Sequence, residues 1–268
     1  GRGSYQTKAE ELERSKKPLR IRLEIDQAFS VIPWNILWDT LYWRWLAQDH
    51  SRTLIQTLTG SVFAKLKRSK QPESLHVVLV TASAAHPSSP EADQRYSKRL
   101  QECFEASQHQ YSIDFKEITG LNTYGQLEQR IQQDTALHIL DIFAHGRIDG
   151  SQHILSLTDE AGEIISLPST WLNGVLRQRR KAIPKHHLFL TVLNNCDSAL
   201  SVPHSLLAGL AQALVNDGMP MVLGMQSQVS LETVYTVMPV FYRALLSGQT
   251  IDQALNSARQ ALYNNDYS

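Results

Sequence analysis

The sequence predicts an α/β sandwich in which a mostly parallel central sheet is covered by helices on both faces, and three observations carry that prediction. Apolar runs of strand length recur at residues 75–80, 136–144, 188–193 and 220–225, continuous rather than alternating, as expected of strands buried on both faces. Segments of helical spacing lie between them, so strands and helices alternate, and right-handed crossovers between such strands give a parallel sheet. Two of the runs stop at reactive side chains, in Phe143-Ala144-His145-Gly146 and in Leu193-Asn194-Asn195-Cys196-Asp197-Ser198. Functional groups of α/β sheets gather at the carboxyl ends of strands.

Taken in order, residues 1–18 read as an N-terminal extension, with a polar run from Tyr5 to Lys17 suited to a charged helix or linker. The remainder, 19–268, reads as one domain, divided into an N-terminal hairpin and Trp-rich segment (19–70) and an α/β core (75–262). Leu19-Arg20-Ile21-Arg22-Leu23-Glu24-Ile25 alternates strictly between apolar and charged residues, the period of an edge or hairpin strand with one face in water. Four of the five tryptophans follow at Trp34, Trp38, Trp43 and Trp45, a local hydrophobic cluster that suits burial better than a partner surface. Within the core the expected elements are a strand at 75–80, a helix at 91–107, a strand at 111–118, a helix at 124–133 and a strand at 136–144. A hairpin follows (154–157 and 164–167 around Asp159-Glu160-Ala161-Gly162), then a helix at 168–180 and a strand at 188–193. A helix at 205–216 closed by Gly218, a strand at 220–225 and helices at 231–246 and 250–262 complete the chain.

Bulk properties narrow the function classes. Acidic and basic residues balance at 26 each, so no global field draws nucleic acid or anionic lipid. The basic runs at 65–70 and 177–181 lack an aromatic platform and read as solvated faces. No apolar stretch reaches the roughly 18 residues that span a bilayer, and the start lacks a signal-peptide core, so no membrane partner is expected. Cys103 and Cys196 are the only cysteines, which suits a reducing compartment and a cytoplasmic protein; Cys103, inside a helical stretch, reads as a buried structural thiol. His138, His145, His153, Cys196 and His204 show no paired metal-ligand spacing, so neither metal nor cofactor is expected.

The chemistry therefore concentrates on two residues. An imidazole and a thiol at the ends of adjacent parallel strands form a catalytic pair: His145 takes the proton of Cys196 and later protonates a leaving amine. Cys196 precedes a helical stretch whose N-terminus favours a thiolate. Gly146 carries no side chain, so its N–H and that of Cys196 suit an oxyanion hole. Taken singly, a strand-end histidine and a small apolar cysteine are ordinary core residues; it is the two motifs together that point to a dyad. Asp141, four residues before His145, shares its strand face at about 13 Å, too far to orient the imidazole directly and suited to a polar neighbour in the sheet or an ion-pair partner. Asn194 shares the face of Cys196 about 6.6 Å along the strand and is expected to line the pocket beside it. Asp197, Gln226 and Ser227 are expected near the same cleft, although an acid at a helix start is also an ordinary surface feature.

These residues resemble the CHAT domains, caspase-like cysteine peptidases of the clan that holds caspases, metacaspases and separase. The resemblance runs from Leu19 to Leu262. It is carried by Pro33-Trp34, Ala144-His145-Gly146, Asn195-Cys196-Asp197-Ser198, Gly224-Met225-Gln226 and Phe241-Tyr242-Arg243-Ala244-Leu245 with Gly248 and Ala254-Leu255. It implies a caspase-like sandwich and an endopeptidase that cleaves a protein substrate through an acyl-enzyme. It also implies regulated proteolysis, in a signal-triggered bacterial defence or developmental pathway, with an activating partner or a fused sensor or repeat domain. Related metacaspases carry aspartate at the position of Asn194 and caspases glutamine; many CHAT domains have aspartate where this chain has Leu231, so a preference for basic residues is not expected. Two other readings share the pattern. A caspase-like binding module would dock a partner without turnover, and a flavodoxin-like ligand-binding domain would need a glycine-rich loop where Thr81-Ala82-Ser83-Ala84 stands.

Overall fold

A computed structural model describes residues 2–14, 19–25, 38–39, 44–45, 52–58, 73–82, 90–108, 112–149, 152–183, 188–194, 206–225 and 229–266. The chain falls into two compact units, Gly60–Tyr235 and a second made of Gly1–Thr59 with Thr236–Ser268.

The first unit is built on a five-stranded, all-parallel sheet. In chain order its strands are Ser74–Ala82, Ser112–Thr119, Leu137–Ala144, Leu190–Asn194 and Met221–Gly224. Numbering every strand of the chain in sequence, these are β5, β6, β7, β11 and β12, and they lie side by side as β6-β5-β7-β11-β12. The order reverses between β5 and β7, which makes that crevice the topological switch point.

Both faces of the sheet are covered because both residue parities of its central strands are apolar. On one face Val78, Val80, Leu140, Ile142 and Leu193 pack with Leu127 and Ile131 of helix α3 (Thr123–Gln133), Leu172, Val175 and Leu176 of α4 (Ser169–Ala182), and Leu210 and Leu214 of α5 (Leu206–Asn216). On the other, Val77, Leu79, Ile139, Phe143 and Val192 are fully or almost fully buried, with Tyr96, Leu100 and Phe104 of α2 (Pro90–Ser107) on that side. Glu91 and Asp93 stand in the first turn of α2, where the helix dipole favours acids.

The pairing of β5 with β7 is irregular at one place. His76 pairs with Leu137 and Val77 with Ile139, so His138 is an extra residue in β7. Its Nδ1 accepts the His76 N–H at 3.1 Å. The histidine thus satisfies a donor beside the bulge, and acceptance fixes Nδ1 as unprotonated.

A second sheet follows β7. Strands β8 (Gly146–Asp149), β9 (Gln152–Thr158) and β10 (Ile164–Pro168) form an antiparallel meander in the order β10-β9-β8. The sequence predicts the β9–β10 hairpin but not β8, whose four residues are too few for a period to register. Thr158 ties this sheet to the start of α3: its hydroxyl donates to Gly120 O, and its N–H donates to Thr123 Oγ1 at 2.8 Å.

The basic run at 177–181 is not uniformly solvated. Arg179 is 1% exposed, and its Nη1 donates to the carbonyls of Ile131 and Asp134 at 2.6 and 2.7 Å, closing the C-terminal end of α3. Burial lowers its pKa, opposed by the charge of Asp134. Cys103 is buried in α2, as expected.

In the second unit, strand β1 (Leu19–Ile25) pairs in parallel with β4 (Arg52–Leu58). The expected hairpin is therefore corrected: a parallel partner needs a long crossover, and residues 26–51 supply it. The antiparallel pairing in the Trp-rich segment joins β2 (Trp38–Asp39) to β3 (Arg44–Trp45); Trp34, Trp43 and the run 65–70 lie outside the described residues. The polar N-terminal run is helix α1 (Arg2–Arg14). Helix α6 (Leu231–Leu246) crosses the boundary between the units, and α7 (Ile251–Asp266) packs on β4, where Asn256 Nδ2 donates to Arg52 O.

Asp252 joins β1, β4 and α7. It accepts from Nε and Nη2 of Arg20 at 2.9 and 2.8 Å and from the Thr53 hydroxyl. Burial alone would raise its pKa; hydrogen bonds from Arg20, Thr53 and Thr250, with the charge of Arg20, outweigh that and lower it. A carboxylate depressed in the folded state stabilises above its unfolded pKa and loses that contribution as pH falls through the folded value. Asp252→Asn is therefore expected to lower the melting temperature at pH 6–8, and its gap from the parent should close as pH drops below about 4. Thermal melts of both proteins across pH 2.5–8 check this; a gap constant with pH would contradict it.

Candidate active site

His145 and Cys196 follow neighbouring parallel strands. Asn194 pairs with Phe143. Phe143 precedes His145 by two positions, as Asn194 precedes Cys196, so β7 and β11 end level with one another. Cys196, Asp197, Gln226 and Ser227 lie outside the described residues, as do Asn195 and Ser198.

His145 is half-buried at the carboxyl end of β7, between β5 and β11 and next to the switch point. Its carbonyl accepts the Ser156 N–H at 2.9 Å, which anchors its backbone to β9. That bond also defines the neighbouring pair: Gly146 stands opposite Leu155 in a non-hydrogen-bonded position, so its own N–H is turned away from β9. Gly146 is itself buried.

Asn194 requires a correction. The strand period predicts that it lines the pocket, but it is 0% exposed, and its side chain is held within the protein. Its Nδ2 donates to Asp141 Oδ1 at 2.9 Å and to the Tyr96 hydroxyl at 2.8 Å, and that hydroxyl donates to Asp141 Oδ2 at 3.0 Å. A buried carboxylate demands donors, and the amide one strand away supplies one of them. Asp141, also 0% exposed, is therefore a polar neighbour within the sheet, hydrogen-bonded by Asn194 and Tyr96. The Tyr96 ring stacks on Phe143, with centroids 4.5 Å apart. Tyr96 is the member of this cluster that the motifs do not reveal; its place on the buried stripe of α2 with Leu100, Cys103 and Phe104 is the signal that could have found it.

Other features of the surroundings are structural. Arg95 pairs with Glu232 at 2.6 Å, and its guanidinium lies 4.8 Å from the Tyr235 ring centre, fastening α2 to the first turn of α6. Leu231 opens that helix and is 37% exposed. Among the described residues no group of three or more His, Cys, Asp or Glu is placed to hold a metal ion, and no helix is long and apolar enough to cross a membrane.

Parallel strands delivering a histidine to the carboxyl edge, followed at once by a small antiparallel meander, define an α/β protein whose central parallel sheet is covered on both faces. Residues 5–268 match the CHAT domain, and the chain belongs to that family. The family resemblance drawn from the sequence motifs is thereby shown. Among solved structures the chain is similar to the crystal structure of the Drosophila initiator caspase Dronc, at 11% identity and a TM-score of 0.31, over 47% of this chain and 50% of that one. The similarity thus spans half the length of the caspase chain. Comparison with curated protein sequences returns no match.

Proposed function

We propose that this protein is a cysteine endopeptidase in which Cys196 is the nucleophile and His145 the general base and acid. One observation carries the reading: the strands that precede these residues are parallel neighbours that end in register at the sheet edge where α/β proteins assemble their sites. Membership of the CHAT family supports it further.

The Cys196 thiol transfers its proton to His145, and the thiolate attacks the scissile carbonyl carbon. The resulting oxyanion is met by the N–H groups of Gly146 and Cys196; the orientation of Gly146 away from β9 keeps its donor out of that ladder. Collapse breaks the C–N bond, and the imidazolium gives its proton to the departing amine. His145 then takes a proton from water, which attacks the thioester and releases the carboxylate product. The substrate is a protein, and Asp197, Gln226 and Ser227 contribute to its cleft. Regulated proteolysis in a signal-triggered bacterial defence or regulatory pathway, with an activating partner or sensor, completes the proposal; it rests on the family alone.

The test is incubation with a mixed-sequence peptide library, read by mass spectrometry, beside Cys196→Ala and His145→Ala. Cuts that vanish in both variants support the dyad. Cuts that persist in Cys196→Ala would refute it.

A further inference from the structure

A buried carboxylate lies on the strand that carries His145, and it takes hydrogen bonds from two other elements. Asp141 is two pleats below His145 on the same face of β7, and Asn194, the last residue of β11, precedes Cys196 by two positions in the sequence. The Asn194–Asp141 bond crosses diagonally between the two strands. Tyr96 bonds to both partners, and its ring covers Phe143, the β7 side chain between Asp141 and His145. Three bonds thus close a ring joining β7, β11 and α2.

Stability alone does not account for this arrangement. The neighbouring side chains Leu79, Ile139, Phe143 and Val192 are all apolar and at most 2% exposed, and a leucine at 141 would fit the strand with no ion to desolvate. What the ring fixes is direction. Both protons of the Asn194 amide are directed to Asp141 and Tyr96, so the amide cannot flip without breaking two bonds. With Asn194 held, the end of β11 is tied to β7 at Asp141, two pleats before His145.

We infer that Tyr96, Asp141 and Asn194 are positioning residues for the His145–Cys196 pair, setting the level and angle at which β7 and β11 present them. The inference rests on the catalytic reading of that pair. A displacement of about 1 Å in reacting groups costs up to about a hundredfold in rate, so a network that holds the ends of both strands has leverage on the chemistry.

The test uses Tyr96→Phe, which keeps the ring on Phe143 and removes only the hydroxyl. The readout is the second-order rate of Cys196 alkylation by iodoacetamide in the folded full chain at pH 7, resolved from Cys103 by peptide mass spectrometry, with melting temperatures measured alongside. Val175→Ala, on the opposite face of the sheet, is the control for destabilisation. His145→Ala reports whether the thiol is activated at all. The expected result is alkylation about tenfold slower in Tyr96→Phe than in the parent, with Val175→Ala unchanged even where it melts lower. A Tyr96→Phe rate equal to the parent, or slowed no more than Val175→Ala, overturns the inference while leaving the dyad standing. If His145→Ala alkylates as fast as the parent, the catalytic reading fails and the inference falls with it.

Discussion

Removing the Cys196 thiol is expected to lower peptide cleavage by at least about a thousandfold, and removing the His145 imidazole to do nearly the same. The two residues act on one proton and one carbon: without the thiol there is no nucleophile, and without the imidazole the thiol of an ordinary cysteine is only a few per cent ionised at pH 7. The double variant should be no worse than either single one, because groups that act as a unit are lost as a unit. Initial rates on a peptide found by the library screen, for the parent and the three variants, measure this directly. A double variant far slower than both singles would mean that the residues contribute independently, which a proton-sharing pair does not do.

The second large effect is on folding. Arg179→Ala is expected to destabilise the unit built on the parallel sheet by about 3 kcal/mol or more, since it leaves the Ile131 and Asp134 carbonyls without their charged donor and opens a void beneath α4. For a unit of this size that is a fall of roughly 10 °C in melting temperature. Arg179→Lys keeps a cation near Asp134 and the end of α3, and should recover part of the loss. Urea denaturation of the three proteins, followed by circular dichroism, reads it. Equal stability of parent and alanine variant would show that water satisfies those carbonyls as well as the guanidinium does.

Arg179 also shows where sequence reading reaches its limit. Four consecutive or near-consecutive cations at 177–181 look like a solvated face. The helical period shows otherwise: Leu172, Val175, Leu176 and Arg179 form one i, i+3, i+4, i+7 stripe, and all four are buried. Composition concealed what periodicity would have revealed. Four of the five parallel strands were legible because a continuous apolar run that stops after six to nine residues is too short for a buried helix, and the boundaries of all five fall within two residues of expectation. β1 was legible as a strand but not in its partner, since alternation specifies a half-solvated face and not the direction of the neighbour.

The site was legible in its motifs and not in its support. Asp141 stands out as the lone acid in 137–144, but its donor Tyr96 is 45 positions away and Asn194 is 53. No local pattern connects them. Strand alternation gives the face on which Asn194 stands while leaving open how deep on that face it lies, and depth is what separates a cleft residue from a core one.

The pairing of Arg20 with Asp252 spans 232 positions, and everything between Gly60 and Tyr235 forms a unit of its own. At equilibrium this long closure adds little, because the entropic cost of a loop rises only with the logarithm of its length. In time it imposes an order. As the chain emerges from the ribosome, the parallel sheet has all its strands before the helix that packs on β4 has been made. The β1–β4 ribbon therefore waits for α7 to be synthesised. During that interval the strand pair lacks both the Asp252 carboxylate that joins its two strands and the Asn256 amide that satisfies the Arg52 carbonyl.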